Sequence, residues 1–352
     1  MSSKNGSEAI ESAQVEGASN AQATQELARL GKAYHKRRNV NIIVDSCADF
    51  AQGVAERLGV QVIEFSYVGP DGEHLDDNWR SCTPHDFYEG MRKSRDFHYT
   101  TAAVTPGRYL EYFESAAKEG TPTLYLAFTA GLSSSVYAAE QAAQLVRDKY
   151  PDFEIYVLDN VCPSSAAELL AIECVHQASM GLSAKELYEW AMDARYFVHG
   201  YFTIDDMKVL AAGGRIPPAA ANIGGKLDVK PELSFDTGGA LTVNGMCRGR
   251  KKALRALVQE FRDNYAHEPS LPVGIMSSDS ERDADWLEGQ IRREKGCEDI
   301  TVIRSSVGPT LGAHVGAGMV AITFWGTDRR DKMSLSDRIA YKVRGDRPDS
   351  KQ

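Results

Sequence analysis

The run TPTLYLAFTAGLSSSVY, residues 121–137, decides the fold. Leu124, Tyr125, Leu126, Ala127 and Phe128 form a short apolar stretch between Pro122 and Gly131, a pattern that suits an interior parallel strand. Val136, Ala139, Ala142, Ala143 and Val146 then recur at helical spacing, with Ser133 and Ser134 where an N-cap belongs. A loop at a strand's carboxyl end that opens onto a helix presents free N–H groups and a positive dipole end, which favours a carboxylate or phosphate. Ser133 has two readings here, helix cap or ligand contact, and on this stretch alone capping is the commoner role.

Outward from this run the same alternation repeats. VNIIVD from Val40 predicts a strand ending at Asp45 and Ser46, ADFAQGVAERLG a helix, and VQVIEFSYV, residues 60–68, a second strand. Either of Asp45 and Ser46 could touch a ligand or cap the next helix. Residues 70–82 are turn-rich, and Thr105-Pro106 marks the start of a helix, which leaves Thr100 and Thr101 in the loop before it. Residues 153–158 predict a fourth strand, and Pro163 starts a helix over residues 164–179. Four apolar strands separated by helices imply a mainly parallel, doubly wound sheet.

Beyond Gly200 the pattern becomes mixed. Residues 232–236 and 241–246 flank Thr237-Gly-Gly239 as a hairpin, and a basic cluster of Arg248, Arg250, Lys251 and Lys252 opens the following helix. Strand, helix and strand follow, and TLGAHVGAGM then places His314 in a glycine-rich loop before a last strand, VAITFW. The expected division is a disordered tail over 1–38, an α/β domain over 39–165, a second, mixed α/β domain over 166–328 and a C-terminal tail over 329–352.

Composition narrows the function. A net charge of −9 argues against nucleic acid as the main partner, and no apolar run is long enough to span a bilayer. The N-terminus lacks the apolar core of a secretory signal, so the chain reads as cytoplasmic. Its six cysteines include no C-x-x-C pair and no two histidines are closely spaced, so no metal site is expected.

Seven motifs in order resemble the DegV family of fatty-acid-binding proteins. They are Val44-Asp45-Ser46-x-Ala48-Asp49, Thr101-x-x-x-Thr105-Pro106-Gly107, Ala130-Gly131-Leu132-Ser133, Gly213-Gly214-Arg215-Ile216, Lys230-Pro231, Arg248-Gly249-x-Lys251-Lys252-Ala253 and Gly312-Ala313-His314-Val315-Gly316-x-Gly318. The resemblance implies two α/β domains around a tunnel that holds one long-chain fatty acid. Thr101 and Ser133 resemble the hydroxyls that bind its carboxylate, and His314 resembles the histidine beside it. It also implies a lipid-binding protein and not an enzyme, with no cofactor, which presents its acyl group to a separate fatty acid kinase subunit of a bacterial system. Arg215 and Arg248 resemble basic positions near the tunnel mouth, assigned to kinase docking or phosphate contact. Cys47, Ala102, Ala103 and Ala317 depart from the residues usual in the family.

Two other classes are weighed against this one. A serine-dependent acyl hydrolase would use Ser133 as nucleophile and His314 as base, but G-L-S-S-S lacks the second glycine of G-x-S-x-G and no acid is placed. A dinucleotide-binding oxidoreductase would need a glycine fingerprint in the first turn, which reads D-S-C-A-D-F.

Overall fold

The computed structural model describes residues 38–94, 97–216 and 228–333. Residues 1–37 of the tail expected over 1–38 and the chain from 334 onward lie outside them, as do the residues that follow Ile216 up to 227.

The first unit carries β1 (Asn41–Asp45), α1 (Val54–Leu58), β2 (Gln61–Ile63), β3 (Ser66–Gly69), β4 (Gly72–Leu75), α2 (Pro84–Lys93), β5 (Thr100–Ala102), α3 (Pro106–Glu119), β6 (Thr123–Ala127), α4 (Ser135–Lys149) and β7 (Ile155–Asp159). Strands β2-β1-β6-β7 form an all-parallel sheet in that order. The central strand β6 is buried at every residue, as a strand covered on both faces must be. Successive side chains face opposite cores: Ile42, Val44, Leu124 and Leu126 enter one, and Ile43, Tyr125 and Ala127 the other with Tyr109, Phe113 and Val146 of α3 and α4. Helices therefore cover both faces of the sheet. Thr105 caps α3 by accepting from Arg108 N–H at 3.3 Å, with Pro106 at the first helical position.

Two expectations change. Residues 60–68 are not one strand, because β2 and β3 belong to different sheets. At the break Phe65 donates its N–H to Ser46 Oγ (3.1 Å) and accepts from Asp76 N–H (2.9 Å), so its backbone is unavailable to either ladder. Thr100 and Thr101 lie in β5, not in a loop, and β4-β3-β5 make a small antiparallel sheet with Thr101 opposite Tyr67.

The chain continues through α5 (Ser165–Met180), α6 (Ala184–Ala194), β8 (Val198–Thr203), α7 (Met207–Ala212), β9 (Val229–Phe235), β10 (Leu241–Arg248), α8 (Arg250–Asn264), β11 (Val273–Ser277), α9 (Glu281–Ile291), β12 (Val302–Ser306), α10 (Pro309–Val315) and β13 (Val320–Trp325). The second sheet has the order β10-β9-β8-β13-β11-β12 and is antiparallel except for the β11–β12 pair. Its β9–β10 hairpin is the expected one, with a bulge between Val243 and Gly245. Leu257, Phe261 and Leu287 of α8 and α9 share a core with Ile275, Ile322 and Phe324 of this sheet.

Helix α5 joins the two units. All of its residues from Ser165 to Val175 are buried, and it touches β1 of the first sheet and β8, β11 and β13 of the second. A helix apolar on every side must be enclosed in this way. A boundary at 165 assigns α6 to the second unit, although α6 packs on β6 and β7 of the first. Arg329, where the C-terminal tail is expected to begin, is buried and donates to the carbonyls of Asp236 (2.8 Å) and Arg195 (3.1 Å).

Candidate functional site

A cavity of about 1060 Å³, its open mouth included, lies between the two units. The first unit contributes Phe65, Thr101, Phe128 and Ser133; the second contributes Phe202, Leu210, Arg215, Phe235, Met276 and His314, with Ser164 at the head of α5. Most of the wall is apolar, and Arg215 is its one charged residue among those described, apart from the titratable ring of His314.

Thr101 and His314 meet across the unit boundary, Oγ1 to Nε2 at 2.9 Å. His314 is not in a loop. It occupies the last turn of α10, which begins with Pro309 at its first position. Burial, with added repulsion from Arg215 and His98, pushes the imidazole pKa down to about 4, so the ring is neutral at neutral pH. Its Nδ1 has no hydrogen-bond partner among the described residues. A Cβ at Gly213 would stand 2.4 Å from that atom, so this position has room only for glycine. Arg215, two residues on, donates from Nη1 to the Gly213 carbonyl at 2.5 Å, and burial lowers its pKa from the ordinary value.

Ser133 is not the N-cap of α4, a place that Ser134 holds without a side-chain cap bond. Ser133 Oγ accepts from Ser135 N–H at 3.2 Å, inside the first turn of α4, and lies 2.7 Å from Ser135 Oγ, and Ser133 also lines the cavity. Its loop abuts the β9–β10 turn: a Cβ at Gly131 would come within 2.4 Å of Ala240 N, and one at Gly239 within 1.8 Å of Thr129 Oγ1. Thr101, Ser133, Arg215 and His314 thus share one cavity, whereas Arg248 is exposed at the end of β10 and is not among the lining residues. No hydrogen bond joins Ser133 to His314 among the described residues, so the nucleophile–base pair of the hydrolase reading is not assembled.

Several carboxyls are buried, and of these the sequence singles out Asp45 as a ligand contact or a cap. Asp45 accepts from Phe128 N–H (2.7 Å), Cys47 N–H (3.1 Å) and Tyr125 Oη (3.1 Å), which makes it a structural cap with its pKa raised to about 7 by burial. Glu168 accepts from Ala51 N–H at 2.8 Å and is raised to about 8 for the same reason. Asp49 and Asp76 are equally buried. The D-S-x-A-D motif flagged Asp45 and Asp49, but Asp76 sits in a polar, turn-rich run where nothing marks it out.

Among the described residues no cluster of three or more His, Cys, Asp or Glu could hold a metal, and no helix is long and apolar enough to cross a membrane. The profile of the family described as "Uncharacterised protein, DegV family" matches residues 39–326. A DegV domain-containing protein of Clostridium perfringens is 30% identical over 285 residues, which cover 81% of this chain and 97% of that protein. Among solved structures, a DegV lipid binding protein from Thermotoga maritima superposes with a TM-score of 0.72 at 23% identity, over 82% of this chain and 99% of the other. The Streptococcus pneumoniae Fatty Acid Kinase (Fak) B3 protein loaded with linoleic acid gives 0.71 at 20%, over 81% and 99%. At these identities the structural likeness is one of fold. Profile and relative together span the described domains nearly end to end, and the chain belongs to the DegV family.

Proposed function

We propose that this protein holds a long-chain fatty acid in the cavity between its units, with the carboxylate at Thr101, Ser133 and His314, and presents that carboxylate to a separate fatty acid kinase for acyl-phosphate formation. The observation that carries the reading is the Thr101–His314 pair at 2.9 Å on the wall of a largely apolar cavity whose one charged residue, among those described, is Arg215. An apolar chain needs such a wall. Burying ~14 methylenes at about 0.8 kcal/mol each gives on the order of 11 kcal/mol before the costs of binding. The acyl chain then supplies affinity and the polar groups set its register. Neutral hydroxyls and a neutral imidazole bind a carboxylate without the bidentate grip of an arginine, which leaves its oxygens free for transfer chemistry.

In this reading the chain is a carrier and its partner does the chemistry. Arg215 on the cavity wall and Arg248 on the surface are the basic positions offered to the kinase or to the new phosphate. Because that partner consumes ATP, the proposed site of action is the cytoplasm. Native mass spectrometry of the purified protein is the first test, with near one fatty acid per chain expected, and a chain that takes up none overturns the reading. With kinase and ATP added, Ser133→Ala is expected to lower occupancy modestly and acyl-phosphate formation strongly. Equal losses in both count against a role in presentation.

A further inference from the structure

Helix α10, which carries His314, has no side-chain cap of its own, and its N-cap residue Gly308 has no side chain to offer. Its leading donors are met from the other unit. Gly308 N–H donates to Asp49 Oδ1 at 2.8 Å and Thr310 N–H to Asp76 Oδ2 at 3.1 Å. The fit is close, since a Cβ at Gly308 would stand 2.5 Å from Asp49 Oδ1 and 3.2 Å from Asp76 Oδ2. Asp49, held at φ 49°, also accepts from Ser164 Oγ at 2.6 Å, and Ser164 lines the cavity. Just before the helix, Tyr88 Oη donates to the Val307 carbonyl at 2.5 Å.

Both carboxyls are almost wholly buried, at 3% and 1% exposure, and neither has an ion-pair partner or lines the cavity among the described residues. Burial raises the pKa of each, and the charge of Asp76 raises Asp49 further. Asp76 follows β4, in the same small sheet as Thr101 on β5. That sheet therefore meets α10 twice, at its head through Asp76 and at its last turn through the Thr101–His314 bond. A helix of seven residues has no stability of its own in water, so its placement depends on such contacts.

We propose that Asp49 and Asp76 are positioning residues for the head-group site, capping α10 from the opposite unit and so holding His314 at hydrogen-bonding distance from Thr101. The inference rests on Thr101 and His314 being head-group ligands, but its first readout needs no fatty acid.

The test uses the full chain with Asp49→Ala, Asp76→Ala and the two Asn counterparts, which keep an acceptor oxygen. In ligand-free protein, NMR titration of the His314 ring is expected to move up by about one pH unit in the Ala variants as water reaches it, with His199 unmoved. Dissociation of cis-parinaric acid, a fluorescent long-chain probe, is expected to quicken about tenfold, the size of one lost cap. The Asn variants are expected to stay within about twofold of wild type. Folded Ala variants with an unmoved His314 titration overturn the proposal, whatever happens to dissociation. If the Ala variants do not fold, hydrogen exchange in the wild type decides: slow exchange at Gly308 and Thr310 supports capping, and open-chain rates there overturn it. A wild type that binds no fatty acid removes the proposed function and leaves the His314 readout to decide this one.

Discussion

His199 is a buried imidazole and His314 a half-buried one, and the pKa of each is pushed down to about 4, mainly by desolvation. Their surroundings differ in what is left over. His199, in the second sheet, has Nε2 2.7 Å from the Thr327 carbonyl and Nδ1 3.4 Å from Tyr201 Oη, and it stacks on Phe324 at 5.4 Å between centroids. His314 bonds Thr101, keeps an unpaired Nδ1 and faces a cavity. Desolvation is the main cause of the neutral state of both rings, with nearby cations adding to it. What separates the packing histidine from the one proposed to bind a ligand is contact with a cavity and hydrogen-bonding capacity not yet used.

The largest effect expected from breaking this contrast is on stability. His199→Ala removes a stacked, hydrogen-bonded core ring and is expected to cost about 3 kcal/mol in urea denaturation while sparing fatty-acid uptake by the folded fraction. His314→Ala is expected to do the opposite, weakening fatty-acid retention by about 2 kcal/mol, or roughly 30-fold, with little change in the urea midpoint. Equal loss of ligand in both folded variants would erase the distinction.

Next comes pH, where the histidines and the buried acids pull in opposite directions. The raised pKa values of Asp45 (about 7), Asp76 (about 6) and Glu168 (about 8) mean that the folded chain holds protons the unfolded chain has lost. Their contribution is present at low pH and is lost as pH rises through these values. His199 and His314, lowered to about 4, oppose this only below the ordinary histidine pKa of 6.5, where stability falls as pH falls. Between about pH 6.5 and 8 the acids act alone, and the urea midpoint is expected to fall. Glu168→Gln removes about 1–2 kcal/mol of that fall. A wild-type midpoint that does not change across this window shows the carboxyls ionising without penalty.

The smallest effect sharpens the His314 side alone. Gly213 has φ −71°, a conformation open to alanine, so Gly213→Ala acts only through the 2.4 Å approach of its Cβ to His314 Nδ1. Displacing the ring from Thr101 is expected to cost about 1 kcal/mol of fatty-acid retention, read as a faster probe off-rate at unchanged fold. Unchanged retention would mean that the ring's exact placement does not matter.

Much of this was legible in the sequence, for identifiable reasons. The apolar run at 124–128 and the helical spacing after Ser133 specified β6 and α4, because a strand buried on both faces and a helix with one buried face leave different periodicities. The break at Phe65 was not legible, since the alternation over 60–68 continues through it and only tertiary hydrogen bonds to Ser46 and Asp76 reveal it. His314 lies on the cavity wall in the last turn of α10; Gly312 and Gly316 suggest a loop there, while Pro309 at the first helical position is the sign of a helix. The capping of α10 by Asp49 and Asp76 was invisible, because a cap supplied from more than 230 residues away leaves no local pattern.

Helix α5, enclosed by both sheets, has a consequence for how the chain folds. Leu169, Leu170, Ile172 and Cys174 belong to a core that also takes in Ile42 and Leu126 of the first sheet and Phe235 and Trp325 of the second unit. Neither half can complete its interior while the other is absent, so a fragment cut at residue 165 would expose an apolar surface in place of a finished domain. The two units should be lost together in one cooperative transition, and the cavity between them with it.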